Sequence, residues 1–173
     1  MSGPLEGYKI LELTSTVSGP FASMMLADQG ADVIKVEPPG IGDLARFMGA
    51  TKSGMGAMFT VLNRNKKCIC LDFKNADDLK IIKELIKKTD VLIENYRPGV
   101  VKKLGIDYDS ILDINPEIIY CSISGYGQSG PYKERKVYDP LIQATAGTAT
   151  AQDPENPQLF RTIVFDKVTA LTA

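Results

Sequence analysis

Tyr8-Lys-Ile-Leu-Glu-Leu13, a helix-like stretch from Pro20 to Gly30, and Asp32-Val-Ile-Lys-Val-Glu37 form the run that decides the fold class. Both apolar pieces are short, rich in branched side chains and bounded by turn formers, which is the pattern of strands. Pro20 suits the first helical position and Gly30 a C-terminal stop. Farther along the chain, Cys68-Ile-Cys-Leu-Asp72, Asp90-Val-Leu-Ile-Glu94 and Ile118-Ile-Tyr-Cys-Ser-Ile123 repeat the strand pattern. The clearest helix spans Asn75 to Lys88. Leu79, Ile82 and Ile86 fall on one stripe, Asn75 caps the start, Asp77 and Asp78 occupy the first turn, and Lys87 and Lys88 the last. Strands alternating with helices imply an α/β fold, Rossmann-like and doubly wound, with a mostly parallel sheet flanked by helices. Ligands of such sheets gather at the carboxyl ends of the strands. The loops Thr14–Gly19, Pro38–Asp43, Asn95–Gly99 and Gly125–Gly130 are expected there.

The composition excludes several functions. The chain has 173 residues, 44% of them hydrophobic, enough for one domain with a real core. Twenty basic residues stand against twenty-one acidic ones, a net charge of −1, which disfavours bulk-charge binding to nucleic acid. No apolar run approaches the roughly 20 residues of a membrane span. The start at Met1 shows no secretory pattern, and three cysteines argue against a disulfide framework, so a cytoplasmic location is expected. There is no histidine. Its absence removes Ser-His and Cys-His nucleophile pairs and most zinc sites, and no metal site is expected.

Gln152–Gln158 is turn-rich, Leu159–Phe165 reads as a strand or extended segment, and Asp166 begins a helix with nothing to end it. Residues 1–173 are therefore expected to be the N-terminal domain of a longer chain.

Several motifs carry candidate chemistry. Gly125-Tyr-Gly-Gln-Ser-Gly130 matches the dinucleotide fingerprint in spacing, but Pro131 and a charged turn follow where a helix should begin, so the match is read as accidental. Glu37 ends the second strand as a ribose-binding acid would, yet the loop Thr14–Pro20 holds a single glycine. Arg64-Asn-Lys-Lys67 and Lys74 read either as a solvated basic face or, if segments converge, as a phosphate site. Cys68 and Cys70 share one side of a strand and read as small core residues. Asp166 reads as a helix N-cap or, at the same position, as an anion stabilised by free backbone N–H groups and able to attack an activated acyl group. Asp139, in Val137-Tyr-Asp-Pro140 before a helix-like stretch Leu141–Ala149, has the same ambiguity.

Taken together, these segments resemble the family III CoA-transferases, a group that includes formyl-CoA transferase and, as a relative, α-methylacyl-CoA racemase. The resemblance runs from Leu5-Glu-Gly-Tyr-Lys-Ile-Leu-Glu-Leu13 through Gly19-Pro20, Leu26–Glu37, Gly42-Asp43, Asn63–Lys67 and Leu71-Asp-Phe-Lys74. It continues through Asp90–Gly99 and Gly125–Pro131 to Asp166-Lys-Val-Thr-Ala-Leu171, covering essentially the whole chain in order. It implies a CoA site lined by Val17, Leu71, Lys74, Asn95, Tyr96, Lys103, Leu104, Lys136 and Tyr138. Pro38-Pro39 departs from relatives that carry an arginine after the second-strand acid. It also implies that Asp166 is the catalytic aspartate.

The implied reaction moves CoA from an acyl-CoA donor to a carboxylic acid acceptor. It passes through an aspartyl–acyl anhydride and an aspartyl-CoA thioester. CoA and acyl-CoA are then substrates rather than tightly bound cofactors, and the partners are a small carboxylic acid and a second copy in an interlocked homodimer. The 173-residue chain alone is expected to be inactive. The racemase branch needs a histidine where this chain has Tyr138, so transfer is preferred over racemisation. A noncatalytic acyl-CoA-binding module and an NAD- or flavin-dependent oxidoreductase are the remaining alternatives.

Overall fold

The computed structural model describes residues 3–173; Met1 and Ser2, the first two residues of the start that shows no secretory pattern, lie outside the described residues. Five parallel strands form the sheet: β1 (Lys9–Leu13), β2 (Asp32–Glu37), β5 (Lys67–Cys70), β6 (Val91–Glu94) and β7 (Ile119–Ser122), in the spatial order β5-β2-β1-β6-β7. A two-stranded hairpin, β3 (Thr51–Lys52) and β4 (Met55–Gly56), stands apart. The helices are α1 (Ser18–Asp28), α2 (Ala57–Leu62), α3 (Ala76–Ile86), α4 (Val100–Leu104), α5 (Tyr108–Leu112), α6 (Asp139–Thr145), α7 (Thr148–Gln152) and α8 (Phe165–Thr172). Among the described residues no helix is long and apolar enough to cross a membrane.

Alternate strand residues divide between two cores, one on each face. Leu11, Leu13, Val36 and Leu92 pack with Ile82 and Ile86 of α3, Val101 of α4 and Ile111 of α5. Ile10, Val33 and Ile93 pack with Ala27 and Leu26 of α1 on the other face. Strands buried on both faces read as near-continuous apolar runs, which is why β1, β2 and β6 are plain in the sequence. The doubly wound expectation therefore holds. The chain order reverses between β1 and β6, and the loops leaving these neighbours diverge there, making the crevice where such sheets bind ligands. Asn95 ties the two loops: its Oδ1 accepts from Ser15 N (3.0 Å) and its Nδ2 donates to Ser15 O (2.9 Å).

Several local expectations are revised. The helix expected from Pro20 begins at Ser18, where Gly19 lies so close to β1 that an added Cβ would meet the Thr14 side chain at 2.4 Å. Cys68 and Cys70 are exposed, because β5 is an edge strand rather than a core one. Leu159–Phe165 is not a strand. It pairs with no sheet edge, and the Gln143 side chain takes up its backbone instead, accepting from Phe160 N (2.8 Å) and donating to Thr162 O (3.1 Å). The stretch expected as one helix over Leu141–Ala149 begins at Asp139 and breaks at Gly147, whose φ of 76° ends α6 and starts α7.

Between α1 and the sheet lies a cluster of buried charge. Glu12 and Lys35 are register partners on β1 and β2, and both are 0% exposed. Lys35 Nζ donates to Glu12 Oε1 and Thr14 O, each at 2.8 Å, and lies 2.9 Å from Asp43 Oδ2. Lys66 Nζ closes the other side, 2.8 Å from Glu12 Oε2 and donating to Pro20 O (2.8 Å) and Asn63 Oδ1 (2.9 Å). Two carboxylates and two ammoniums balance. Burial penalises each charge, but Lys35 and Lys66 hold Glu12 below the usual carboxylate range, and Glu12 and Asp43 hold Lys35 above the usual lysine value. Lys66 is pulled the other way by burial, to about 8, despite Glu12.

The basic run is thereby resolved. Lys66 is neither solvated nor turned to a ligand. Arg64 grips Asp28 of α1 with its Nε 3.1 Å from Oδ1, and Lys67 pairs with Asp32 at 2.7 Å, so the run points in three directions.

Removing one partner of a buried ion pair strands the other charge, a loss of about 3–5 kcal/mol. Lys35→Met is expected to destabilise by that amount in urea unfolding, whereas Lys67→Ala, losing only an exposed pair, stays within about 1 kcal/mol. Beside the cluster, Glu37 accepts from Arg46 Nε (2.8 Å) and Nη2 (2.7 Å) and from Asp43 N (2.9 Å). Burial would raise its carboxyl, but these donors hold it at about 2. A carboxyl lowered by folding contributes stability above its unfolded value of 4.5, and that contribution disappears as pH falls toward 2. Glu37→Gln is therefore expected to be less stable than the parent at pH 7 and to lose less stability between pH 4.5 and 2, read by urea midpoints across pH.

Candidate active site

The buried cluster fixes the loop that follows β1. Asp43 Oδ1 accepts from Thr16 N (2.9 Å) and from Ala45 N (2.9 Å). Thr16 sits at a φ of 72°, left-handed backbone that a β-branched residue adopts only under constraint. Asp43 supplies that constraint, and the next residue, Val17, becomes the N-terminal flank of α1.

Val17 and Phe21 then line an apolar cleft of about 450 Å³ with Met58 and Val61 of α2, Ile163, and Lys167 of α8. Ile163 and Lys167 flank Asp166 in sequence, so the cleft opens beside the first turn of α8. The helix begins at Phe165 with Val164 as its flank, and Asp166 makes no capping bond. Reading Asp166 as the N-cap is corrected to a place inside the first turn. The carboxylate is half-buried, and no protein group donates to it among the described hydrogen bonds. Its backbone N–H donates to Asp139 Oδ2 at 3.0 Å. Burial pushes the Asp166 carboxyl above its usual range, and the Asp139 charge adds to the effect. An accessible carboxylate of raised basicity beside an apolar cleft can attack an electrophilic carbonyl.

The other residues picked out by resemblance fall into two groups. Leu71, Tyr96 and Leu104 share one apolar cluster, and Phe73 packs edge-on against Tyr96 at 5.8 Å between ring centres. Lys74 and Lys103 are exposed on the same segments, after β5 and in α4. Leu71 is only 5% exposed and spends its side chain on the core. Burial, with Glu94 nearby, pushes the Tyr96 hydroxyl up to about 12. Asn95 links this group to the Val17 loop through Ser15. Lys136 and Tyr138 are exposed on a different segment, the approach to α6, and Tyr138 directly precedes Asp139.

The fingerprint-like Gly125–Gly130 has another explanation. A Cβ at Gly125 would lie 1.9 Å from Val137 Cγ1, and Gly127 and Gly130 take φ values of 80° and 90°. The glycines serve close approach and turning, and the next helix begins only at Asp139. Glu37, the candidate ribose acid, is clasped by Arg46. Among the described residues no cluster of acids and cysteines could hold a metal ion. A second hollow, of about 230 Å³, is lined by Glu94, Tyr120, Ser122 and Gln128, where burial raises the Glu94 carboxyl. Gln143 is the site residue that sequence reasoning missed. Its only sequence signal is its place four residues after Asp139, one helical turn on.

Residues 5–173 match the family model of CoA-transferase family III. The chain is 49% identical over 154 residues to the human (Homo sapiens) succinyl-CoA:glutarate CoA-transferase, covering 88% of this chain and 35% of that one. It is 46% identical over 151 residues to formyl-CoA:oxalate CoA-transferase of Bradyrhizobium sp. (strain ORS 278), covering 87% and 35%. A solved structure of a CAIB/BAIF family protein from Brucella suis superposes with a TM-score of 0.92 at 39% identity, covering 99% of this chain and 47% of that one. The chain thus spans about a third of the length of these curated relatives and about half of that structure. A family model matching nearly every residue, relatives of such identity and a shared backbone agree: this chain belongs to CoA-transferase family III.

Proposed function

We propose that this chain supplies the acyl-CoA-binding and nucleophile-bearing part of an acyl-CoA:carboxylate CoA-transferase. The observation that carries the reading is the Asp166 carboxylate, which accepts no protein hydrogen bond among the described residues, in a helix first turn beside an apolar cleft reached from the Val17 loop. The helix dipole favours its anion, while Asp139 and burial raise its basicity and hence its nucleophilicity.

Asp166 attacks the thioester carbonyl of the donor, giving a mixed anhydride and the CoA thiolate. The thiolate attacks the aspartyl carbonyl, releasing the first acid and leaving CoA on Asp166 as a thioester. The incoming carboxylate reverses these steps and departs as the new acyl-CoA, and Asp166 is regenerated. No net proton is consumed, so the lack of histidine is no handicap. CoA is assigned to the strand ends and the approach to α6: Lys74, Lys103 and Lys136 for phosphates, Tyr96, Leu104 and Tyr138 for apolar and stacking contact with Leu71 backing them from the core, Asn95 and Val17 at the mouth. The whole enzyme is assigned as a cytoplasmic homodimer. A reducing compartment fits the free Cys68, Cys70 and Cys121.

Racemisation of the two-base kind would require a histidine, and the chain has none. A nucleotide-dependent oxidoreductase would have to displace Arg46 from Glu37 and find a helix where Gly130 is followed by a turn.

Incubating the full-length protein with acyl-CoA and hydroxylamine is expected to leave a hydroxamate at Asp166, detectable by mass spectrometry of the peptide; an unmodified Asp166 under turnover sinks the reading. Asp166→Asn is expected to lower kcat by roughly 10³-fold or more, as for loss of other covalent nucleophiles. The 173-residue chain by itself is expected to show no CoA transfer. Lys74→Ala with Lys103→Ala should raise KM for acyl-CoA several-fold with kcat little changed, the mark of lost uniform binding.

A further inference from the structure

Asp139 is 4% exposed and Gln143 is 1% exposed, and both lie on α6 facing the segment that delivers Asp166. Their hydrogen bonds have a fixed direction. Gln143 Oε1 accepts from Phe160 N at 2.8 Å, while Gln143 Nε2 donates to Thr162 O at 3.1 Å and to Asp139 Oδ1. Because a backbone N–H and a backbone carbonyl orient the amide, its NH₂ group must face Asp139. The other Asp139 oxygen accepts the Asp166 N–H at 3.0 Å. Asp139 therefore has to accept at both oxygens. An asparagine would set its NH₂ group against one of these two donors, so the network calls for a carboxyl group at this position. Among the described ion pairs none involves Asp139; its charge is met by N–H groups alone.

We propose, on the reading of Asp166 as the nucleophile, that Asp139 and Gln143 are its positioning residues, clamping residues 160–166 to α6 and holding an uncompensated negative charge against the reacting carboxylate. The clamp fixes where the first turn of α8 stands, and a displacement of about 1 Å at a reacting group can lower a rate roughly 10²-fold. The charge acts differently. Two like charges oppose each other while Asp166 is ionised, and the opposition ends when Asp166 is converted to a neutral anhydride or thioester. Asp139 thereby favours acylation without touching the substrate.

The groups facing Asp166 are few. α6 contributes Asp139, and α8 itself contributes Lys167, whose Nζ is turned to Thr162 Oγ1 at 2.9 Å. The packed helix α1 carries one charged residue, Asp28, held by Arg64 and Asn65, and α2 carries none.

The test uses full-length protein and the pH dependence of kcat. Asp139→Asn removes the charge and mismatches Gln143. It is expected to lower kcat by about 10- to 100-fold with KM for acyl-CoA within about threefold, and to move the acid limb of the kcat profile to lower pH. The sign follows from Asp166 losing a neighbour that raised its pKa. Gln143→Met breaks the clamp but keeps the charge, so kcat falls while the acid limb stays near its original place. Asp139→Glu, a fallback if the asparagine variant does not fold, keeps the charge in a displaced position and should behave like Gln143→Met. Unchanged kcat per folded molecule in these variants, with only a lower urea midpoint, would show a structural role and overturn the proposal. Hydroxamate trapping on the parent separates the two claims. Trapping at Asp166 alongside unaffected variants defeats positioning alone, whereas no trapping in the parent defeats the transferase reading and this inference with it.

Discussion

The Glu12–Lys35 contact, with Asp43 and Lys66 closing around it, is the constraint from which the site follows. Four charges taken out of water would be ruinous singly, since a buried unpaired ion is penalised by several kcal/mol. Together they balance and leave no freedom of register. A one-residue slip of β1 against β2 would carry Glu12 to the opposite face, away from Lys66 and Ser23 of α1, whose hydroxyl donates to Glu12 Oε2 at 2.7 Å. The cluster specifies which face of the sheet α1 covers and at what height. It also orients Asp43, whose outer oxygen holds Thr16 in its left-handed conformation.

That one carboxylate connects sheet register to the place where chemistry is assigned. Asp43 bonds inward to Lys35, outward to Thr16, and through its own N–H to Glu37, which fixes Arg46 over the Phe59 ring at 3.7 Å. The loops after β1 and β2 and the start of α2 thus form one rigid wall of the cleft. The opposite wall, Ile163 to Lys167, is held by α6. A site with one wall set by ion pairs and the other by a glutamine amide is pre-organised from two independent directions, as reacting groups placed to fractions of an ångström require.

The sequence made the architecture legible because its central strands are buried on both faces and its longest capped helix, α3, shows stripe, cap and charge together. Asn75 does accept from Asp77 N (2.8 Å) and Asp78 N (3.4 Å). It was less informative wherever a polar residue is satisfied by something distant. Lys66 sits in a basic run, and only the fold shows that Glu12 lies above it. An acid and a lysine mid-strand in Leu11-Glu-Leu13 and Ile34-Lys-Val36 were a visible signal, since unpaired charges do not belong inside apolar strands. Gln143 gave almost no signal, because its partners lie on irregular chain at residues 160 and 162, which has no periodicity to read. The nine CoA positions rest on resemblance, and the geometry adds only that Leu71, Tyr96 and Leu104 share one apolar cluster and that Asn95, beside Tyr96, is tied to Ser15 in the loop before Val17.

The two buried acids, Glu12 and Asp139, show how the same side-chain chemistry is put to opposite uses. Glu12 is surrounded by cations, so its charge is spent locally and its field beyond the cluster is small. Asp139 is held by neutral donors, which satisfy its hydrogen-bonding capacity but leave its charge in place. Neutral donors stabilise an anion without cancelling its field, and in a half-buried setting that field reaches a neighbour with little screening. The neighbour is Asp166. If burial of a carboxylate served stability alone, a cation at the Gln143 position would serve it better, and it would also lower the basicity of Asp166. A glutamine in that place anchors the segment and preserves the repulsion, the combination that suits the nucleophile proposed at Asp166.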